Sequence, residues 1–415
     1  MVSTQPYSLS ILNGMTRGGI ETVNSRPLWR QLDYVTLALV YLIAIASLII
    51  IDSSSASTGL YYMKRQMIWL IMGSIAMAVM VWIPYERFKK LSPYLYWLSI
   101  LLLGLVIVHG QTRLGAQRWI AVGPFQLQPS EFAKIAVVIT LATHLAKKSS
   151  LTRWRDLISP FLHVALPMLL ILKQPDLGTA LVFVAIMAGM LFMAGVPVWK
   201  LILIFPGGFA FVVLWIYLAL TVHSVHIPLP MHHYQLNRLL IFLHPNKDPL
   251  GSGYNVIQSR IAVGLGGLWG QGLFGAHANQ LSFLPEASTD FIFAVIAEEL
   301  GFVGSMSLIF VYLLLLARGT YIATQAKDRF GLLLASGVVA MFAFHVFESA
   351  GMVSGIMPVA GVPLPFMSYG GSAFLADSAG IGILLNVYMR RKLGSYTQKA
   401  QAAPVVYSKK VTSQQ

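Results

Sequence analysis

Runs of predominantly apolar residues recur along the chain, each about long enough to cross the hydrocarbon of a bilayer as a helix. They fall at 33–51, 66–84, 91–109, 130–146, 158–173, 177–195, 198–220, 290–317, 329–352 and 371–389. The pattern predicts an all-α, polytopic integral membrane protein with about ten transmembrane helices and both termini on one side. On this division 1–32 is a cytoplasmic tail, 33–392 the transmembrane domain, 221–289 a large extracytoplasmic loop within it, and 393–415 a second cytoplasmic tail. The short runs on either side of Pro175 have an alternative, a single kinked or re-entrant unit.

The polar positions between the runs test the count. Basic residues favour cytoplasmic loops, and most of the 29 Lys and Arg fall on one proposed side. They include Arg17, Arg26 and Arg30, then Arg87, Lys89 and Lys90, then Lys147, Lys148, Arg153 and Arg155. Lys200, Arg318, Lys327, Arg329, Arg390 and Arg391 continue the series. The net charge of +14 is therefore accounted for by topology and anionic lipid, which argues against a nucleic-acid patch. Composition agrees: 56% of residues are hydrophobic and 11% charged, with mean hydropathy +0.70. There is no cysteine, hence no disulfide framework and no thiolate chemistry. The first 30 or so residues lack the apolar core of a signal peptide and read as a mobile tail.

The opposite side carries the chemistry. Residues 110–128 and 221–289 form long loops, and loops of that length tend to be functional or disordered. The larger is apolar and aromatic, which predicts short amphipathic helices at the outer interface, with Trp269 and the group His223, His226, His232 and His233. No ligand spacing such as HExxH accompanies these histidines, so no metal site is assigned to them. Of the 15 acidic residues, Glu286, Asp290, Glu298 and Glu299 lie in one apolar stretch, LPEASTDFIFAVIAEELGFVG. A carboxylate in hydrocarbon costs about 2.5–3.5 kcal/mol on insertion scales, so such a group needs a partner, water or a task. On a helix Asp290 and Glu298 would share one face, marking a polar cleft with Asp290 at its wet end and the deeper Glu298 and Glu299 in a structural role.

Near the same surface, Arg118 lies in a loop, Ser130 is a candidate N-cap, and Glu131 and Lys134 are spaced i, i+3. Glu131 and Lys134 could simply neutralise each other, yet Arg118 and Lys134 would suit an anionic head group such as a diphosphate. Asp176 reads as a helix cap. Among Arg238, Lys247, Asp248 and Arg260, we single out Arg260 as a phosphate contact. The Pro- and Gly-rich segment 355–374 reads as an irregular piece at membrane depth, either a plug or one wall of a groove.

Together the strings GAQRWI, QPSEFAKI, KQPDLGTA, DPLGSGYNVIQSRIAVGLGGLWGQG, LPEASTDFIFAVIAEELGFVG and PLPFMSYGGS resemble the SEDS family (shape, elongation, division and sporulation), and most closely its elongation members. The resemblance implies a peptidoglycan glycosyltransferase that polymerises lipid II into glycan strands on the outer face of the bacterial plasma membrane, alongside a class B penicillin-binding protein, a transpeptidase. It places the family's essential aspartate at Asp290, and its other sensitive positions at Arg118, Glu131, Lys134 and Glu286. The chain departs from the family pattern at Ser349 and Ala350, at Ala360 where Thr is usual, and at Ala373 where Ser is usual. These departures bear on the polar contacts of the Pro-rich wall. The expected chemistry is an inverting transfer with Asp290 as general base and Arg118 and Lys134 on the departing diphosphate, with a divalent cation, Mg or Mn, as a possible bridge. Rival readings are a flippase for lipid-linked precursors and a non-catalytic scaffold for the transpeptidase.

Overall fold

The computed structural model describes residues 28–54, 60–113, 116–123, 125–148, 150–221, 233–249, 251, 253–275 and 286–391. The expected tail 393–415, all of the expected tail 1–32 except 28–32, and His223, His226 and His232 lie outside the described residues. Each of the ten apolar runs forms a helix: α1 Tyr34–Ser54, α2 Tyr61–Trp82, α3 Tyr85–His109, α4 Pro129–Ala146, α5 Trp154–Lys173, α6 Leu177–Met193, α7 Val198–Thr221, and, after two short helices α8 His233–Leu243 and α9 Tyr254–Gly266, α10 Ile292–Thr324, α11 Arg329–Val353 and α12 Gly371–Met389. Backbone groups in hydrocarbon must be satisfied within the segment, and the helix is the local solution. Among the described residues eight of these helices are long and apolar enough to cross a membrane; α6 is slightly shorter, and α4 is buried almost throughout. The chain is a multi-pass membrane protein. The runs around Pro175 are two helices joined at 174–176, not one kinked unit.

The bundle is organised around α4, α11 and α12, which are mostly buried, whereas α7 faces outward along nearly its whole length. The most extensive packing joins α12 to α2, α3 to α4, and α11 to both α10 and α6. Small residues let these backbones approach. A Cβ at Gly73 would lie 2.5 Å from Ser378 Oγ, and one at Gly189 2.5 Å from Ala340 Cβ.

Successive helices alternate in direction, so the turns after α2, α4, α6 and α10 share one end of the bundle. There, charges bind the elements together. Arg318 donates two hydrogen bonds to Asp33, at 2.9 and 2.8 Å, and Lys327 pairs with Glu86. Asp328 caps α11 through the Gly331 N–H at 2.8 Å and accepts the Tyr85 hydroxyl at 3.0 Å. Arg329 donates to the carbonyls of Lys148 and Ala194, at 2.6 and 3.0 Å. Burial works against the Asp33 carboxylate, but hydrogen bonds from Arg318 and Thr36 outweigh it and hold its pKa below the usual carboxylate value.

Three features of the opposite end differ from expectation. The segment read as a loop between α3 and α4 contains an antiparallel sheet, β1 Gln111–Arg113, β2 Ala116–Val122 and β3 Phe125–Leu127, in the order β1-β2-β3. Ser130 is not the N-cap of α4: Gln128 holds that position and Pro129 opens the first turn, where a missing N–H is harmless. Finally, α10 is interrupted at Gly301 (φ 66°), a left-handed conformation that glycine tolerates. The loop after α9 fills the break. Gln271 and Gly272 N–H donate to Glu298 and Glu299 carbonyls, both at 2.9 Å, while Phe302 and Val303 N–H donate to Gly267 and Leu268 carbonyls at 2.9 and 3.1 Å. GLGGLWGQG and EELGFVG therefore interlock as one unit that satisfies the polar groups freed by the break.

Candidate functional site

Asp290 belongs to a turn just before α10, not to the helix, so it does not share a helical face with Glu298 as expected. The turn closes on the Glu286 carbonyl, which accepts the N–H groups of Thr289 and Phe291 at 3.1 and 3.3 Å. It is fastened to the Pro-rich segment. Tyr369 N–H donates to Ser288 O at 2.8 Å, Ser368 Oγ donates to Thr289 O at 2.7 Å, and the same Oγ accepts Leu364 N–H at 2.9 Å. The segment 355–370 is thus one wall of the site. Glu286 is exposed at the rim with φ 55°, an uncommon value for a residue with a side chain, and accepts the Thr289 hydroxyl at 2.9 Å.

The Asp290 carboxyl is partly exposed, and no donor among the described residues hydrogen-bonds to it. Burial, and then the neighbouring Glu286 charge, push its pKa from 3.8 up to about 6; Arg238 and Arg118 pull the other way. The two cations arrive from different elements. Arg238, on α8, donates to Val359 O at 3.0 Å. Two residues on, a Cβ at Gly361 (φ +70°) would lie 3.1 Å from Asp290 Oδ2 and 3.8 Å from Arg238 Nη1. Bare backbone at this position lets the acid and the guanidinium approach the same point.

Arg118 projects from β2. Its Nη2 donates to Pro175 O at 2.6 Å and its Nη1 lies 3.5 Å from Asp176 Oδ1. Asp176 caps α6 as the sequence predicts, accepting Thr179 N–H at 3.1 Å, and it also anchors Arg118. The buried Arg118 Nε has no acceptor among the described residues, leaving a donor for an anion.

Lys134 and Glu131 belong to a different cluster. Lys134 is 1% exposed, 2.8 Å from Glu131 and 3.0 Å from His345 Nε2, with the buried Asp377 in electrostatic range. The structure brings Asp290, Glu286 and Arg118 within electrostatic range of one another and places Glu131 and Lys134 in a separate group, where the ammonium meets Glu131 and His345. Arg260 is exposed on α9 and lies against Gly355 at the start of the wall, 2.7 Å from where a Cβ would sit. Glu299 accepts a hydrogen bond from Ser53, whose Oγ accepts Phe274 N–H at 3.0 Å, so this acid ties the interlocked break to α1.

Three residues of these two clusters went unnoticed in the sequence: Glu348, His345 and Asp377. Each is an isolated ionisable residue in an apolar helix, a signal that would have found them. Of the arginines at 238 and 260, it is Arg238 that reaches toward Asp290.

Among the described residues no three His, Asp or Glu side chains converge as metal ligands. Asp290 and Glu286 are accompanied by two guanidinium groups, a donor set that does not fit a protein-held divalent cation. What the arrangement can do is accept a proton at Asp290 beside cations able to hold an anion.

The chain matches the FtsW/RodA/SpoVE family, described as a cell cycle protein, across residues 29–393. It is 39% identical over 380 residues to the peptidoglycan glycosyltransferase MrdB of Escherichia coli strain K12, spanning 89% of this chain and 97% of that protein. It is 36% identical over 367 residues to stage V sporulation protein E of Bacillus subtilis strain 168, with 86% and 96% covered. Among solved structures it resembles a chain from a peptidoglycan synthase complex studied for its coordination of polymerization and crosslinking (TM-score 0.71, 34% identity, 87% and 98% covered). It also resembles the rod shape determining protein RodA of Thermus thermophilus (TM-score 0.63, 30% identity, 88% and 99% covered).

Proposed function

Because the chain belongs to the FtsW/RodA/SpoVE family of cell cycle proteins, we propose that it is a peptidoglycan glycosyltransferase of the bacterial plasma membrane, polymerising lipid II during cell elongation and shape maintenance. The positive end of the bundle, with Arg318, Lys327 and Arg329, faces the cytoplasm together with both termini, and the Asp290 end faces outward. A class B penicillin-binding protein is the expected partner, in keeping with the likeness to a chain of a peptidoglycan synthase complex.

The observation that carries the catalytic reading is Asp290 itself: a carboxyl raised to about 6, with no hydrogen-bond donor among the described residues, between two arginines. In the reaction the acceptor hydroxyl oxygen bonds to the anomeric carbon of the donor sugar as the bond from that carbon to the diphosphate oxygen breaks. The hydroxyl proton passes to Asp290, and the diphosphate leaves with its electron pair. A single displacement inverts the anomeric centre and needs one base, not the paired carboxylates of a glycosidase. Arg118 and Arg238 are assigned to the diphosphate, where charge develops. Glu286 keeps Asp290 basic by repulsion, and Arg260, at the head of the wall, contacts phosphate farther out. Lys134 and Glu131 stiffen α4 behind the site rather than touch the reacting atoms. The protein side chains at this site would not hold a divalent cation; one arriving with substrate would neutralise charge on the leaving group with ligands chiefly from the substrate itself.

The test is polymerisation of lipid II by the purified chain with its partner transpeptidase in detergent, with and without Asp290→Ala, read as glycan on a gel. Polymer from the wild type and none from an equally folded variant supports catalysis by Asp290. Polymer from both removes Asp290 from its role, and none from either leaves a flippase or a scaffold.

A further inference from the structure

Behind the wall of the site lies a second acid. Glu348, on α11, is fully buried, and its Oε1 accepts the Ala360 N–H at 3.2 Å. Its Oε2 is buried with no hydrogen-bond partner among the described residues. Ala360 has no polar side chain of its own, and the buried hydroxyl of Ser349, next to Glu348, is also without a partner among the described residues. The polar hold on this stretch of wall therefore comes from Glu348 on one side and from Arg238, through the Val359 carbonyl, on the other. One residue farther on, Gly361 presents its backbone to Asp290.

We propose that Glu348 is a positioning residue for Asp290: its carboxyl clamps the Ala360 backbone so that the 359–361 wall stays closed against the base. The proposal rests on the reading of Asp290 as that base. A buried carboxyl is costly to keep, and this one is used to fix a backbone whose neighbouring glycine has no side chain to hold it. The closed wall also desolvates Asp290, and burial is the largest cause of its raised pKa. The charged groups around Asp290 are Glu286 from its own turn, Arg238 from α8, Arg118 from β2, and Asp176 at the head of α6; Glu348 itself feels both Asp290 and Arg238. Opening the wall admits water to the base and leaves in place Glu286, Arg118 and Asp176, which are held by other elements.

The experiment measures the pH dependence of lipid II polymerisation by the full chain with its partner, for wild type, Glu348→Ala, Glu348→Gln and Asp290→Asn. Glu348→Ala should lower kcat by about tenfold or more at nearly constant KM, since small misplacements near a reacting group have large effects. It should also move the acid limb about half a pH unit or more toward acid, as Asp290 becomes hydrated. Glu348→Gln retains an acceptor for Ala360 N–H and should restore both kcat and the limb. Should Glu348→Ala not fold, Glu348→Asp, one methylene short of Ala360, carries the same test. An unshifted limb, or a Gln variant as impaired as the Ala variant, overturns the clamp. If Asp290→Asn polymerises normally, the reading of Asp290 fails instead, and the two failures are told apart.

Discussion

The two ends of the bundle use charge in opposite ways. At the arginine-rich end Asp33, Glu86 and Asp328 each meet a donor at hydrogen-bond distance, and the pairs join α1 to α10, α3 to the α10–α11 turn, and α11 to α3. At the opposite end, among the described residues, Asp290 stands among charges without a donor of its own, Arg118 keeps an unused Nε–H, and Glu348 keeps an unused oxygen. Satisfied pairs fix geometry and leave nothing to react; unsatisfied groups on a rigid frame keep their capacity for a substrate. At Asp33 hydrogen bonds from Arg318 and Thr36 outweigh burial and lower the pKa; at Asp290, where no such bond forms among the described residues, burial and the Glu286 charge raise it.

Removing chemistry from the outer end should cost activity and spare stability. Asp290→Asn keeps the shape and removes the proton acceptor, so polymerisation should fall about 10²–10⁴-fold, the usual range for a general base, with an unchanged melting profile. Arg238→Ala comes next. It removes one of two cations and the hold on Val359, and should lower kcat by about 10–100-fold, with Arg238→Lys recovering only part, because a point charge does not reproduce a planar fork. Both are read by single-turnover polymerisation.

At the arginine-rich end the readouts exchange places. Arg318→Ala leaves a buried Asp33 without its partner and should destabilise the protein by about 1–3 kcal/mol, discounted from a fully buried pair because Arg318 is part exposed, with kcat per folded molecule unchanged. Thermal unfolding in detergent measures it. The smallest effect is the pH dependence of the same pair. Because the pKa of Asp33 is lower folded than unfolded, its contribution is present above about 4 and fades as pH falls through the folded value. Arg318→Ala should flatten that acid-side loss of stability. If Arg318→Ala instead abolished polymerisation in a fully folded protein, the division of labour between the ends would not hold.

The bundle was legible because lipid imposes a strong rule: apolar runs of spanning length must be helices, and every one of the ten is. What escaped was non-local. The small sheet around Arg118 has strands of 3 and 7 residues, too short for a periodic signal against their turns. The break at Gly301 is satisfied by a loop some 30 residues earlier, and no local pattern records such a pairing. Asp290 stood out because several acids crowd its segment. Glu348 and Asp377 are single acids in apolar helices, whose meaning depends on the neighbours folding brings them. The separation of Lys134 from Arg118 has the same origin, since sequence placed both near one surface without showing that Glu131 and His345 enclose the ammonium.

The central claim, that Asp290 is a base held ready by its surroundings, is tested most directly by the pH–rate profile of wild-type polymerisation from about pH 4.5 to 8 under single-turnover conditions. With a carboxyl raised to about 6, the rate should climb about tenfold per pH unit on the acid side and level off above the midpoint, which should lie near 6. A rate that stays flat down to about pH 5 would contradict it, because the group limiting catalysis would then be one with an ordinary carboxylate pKa, or none at all.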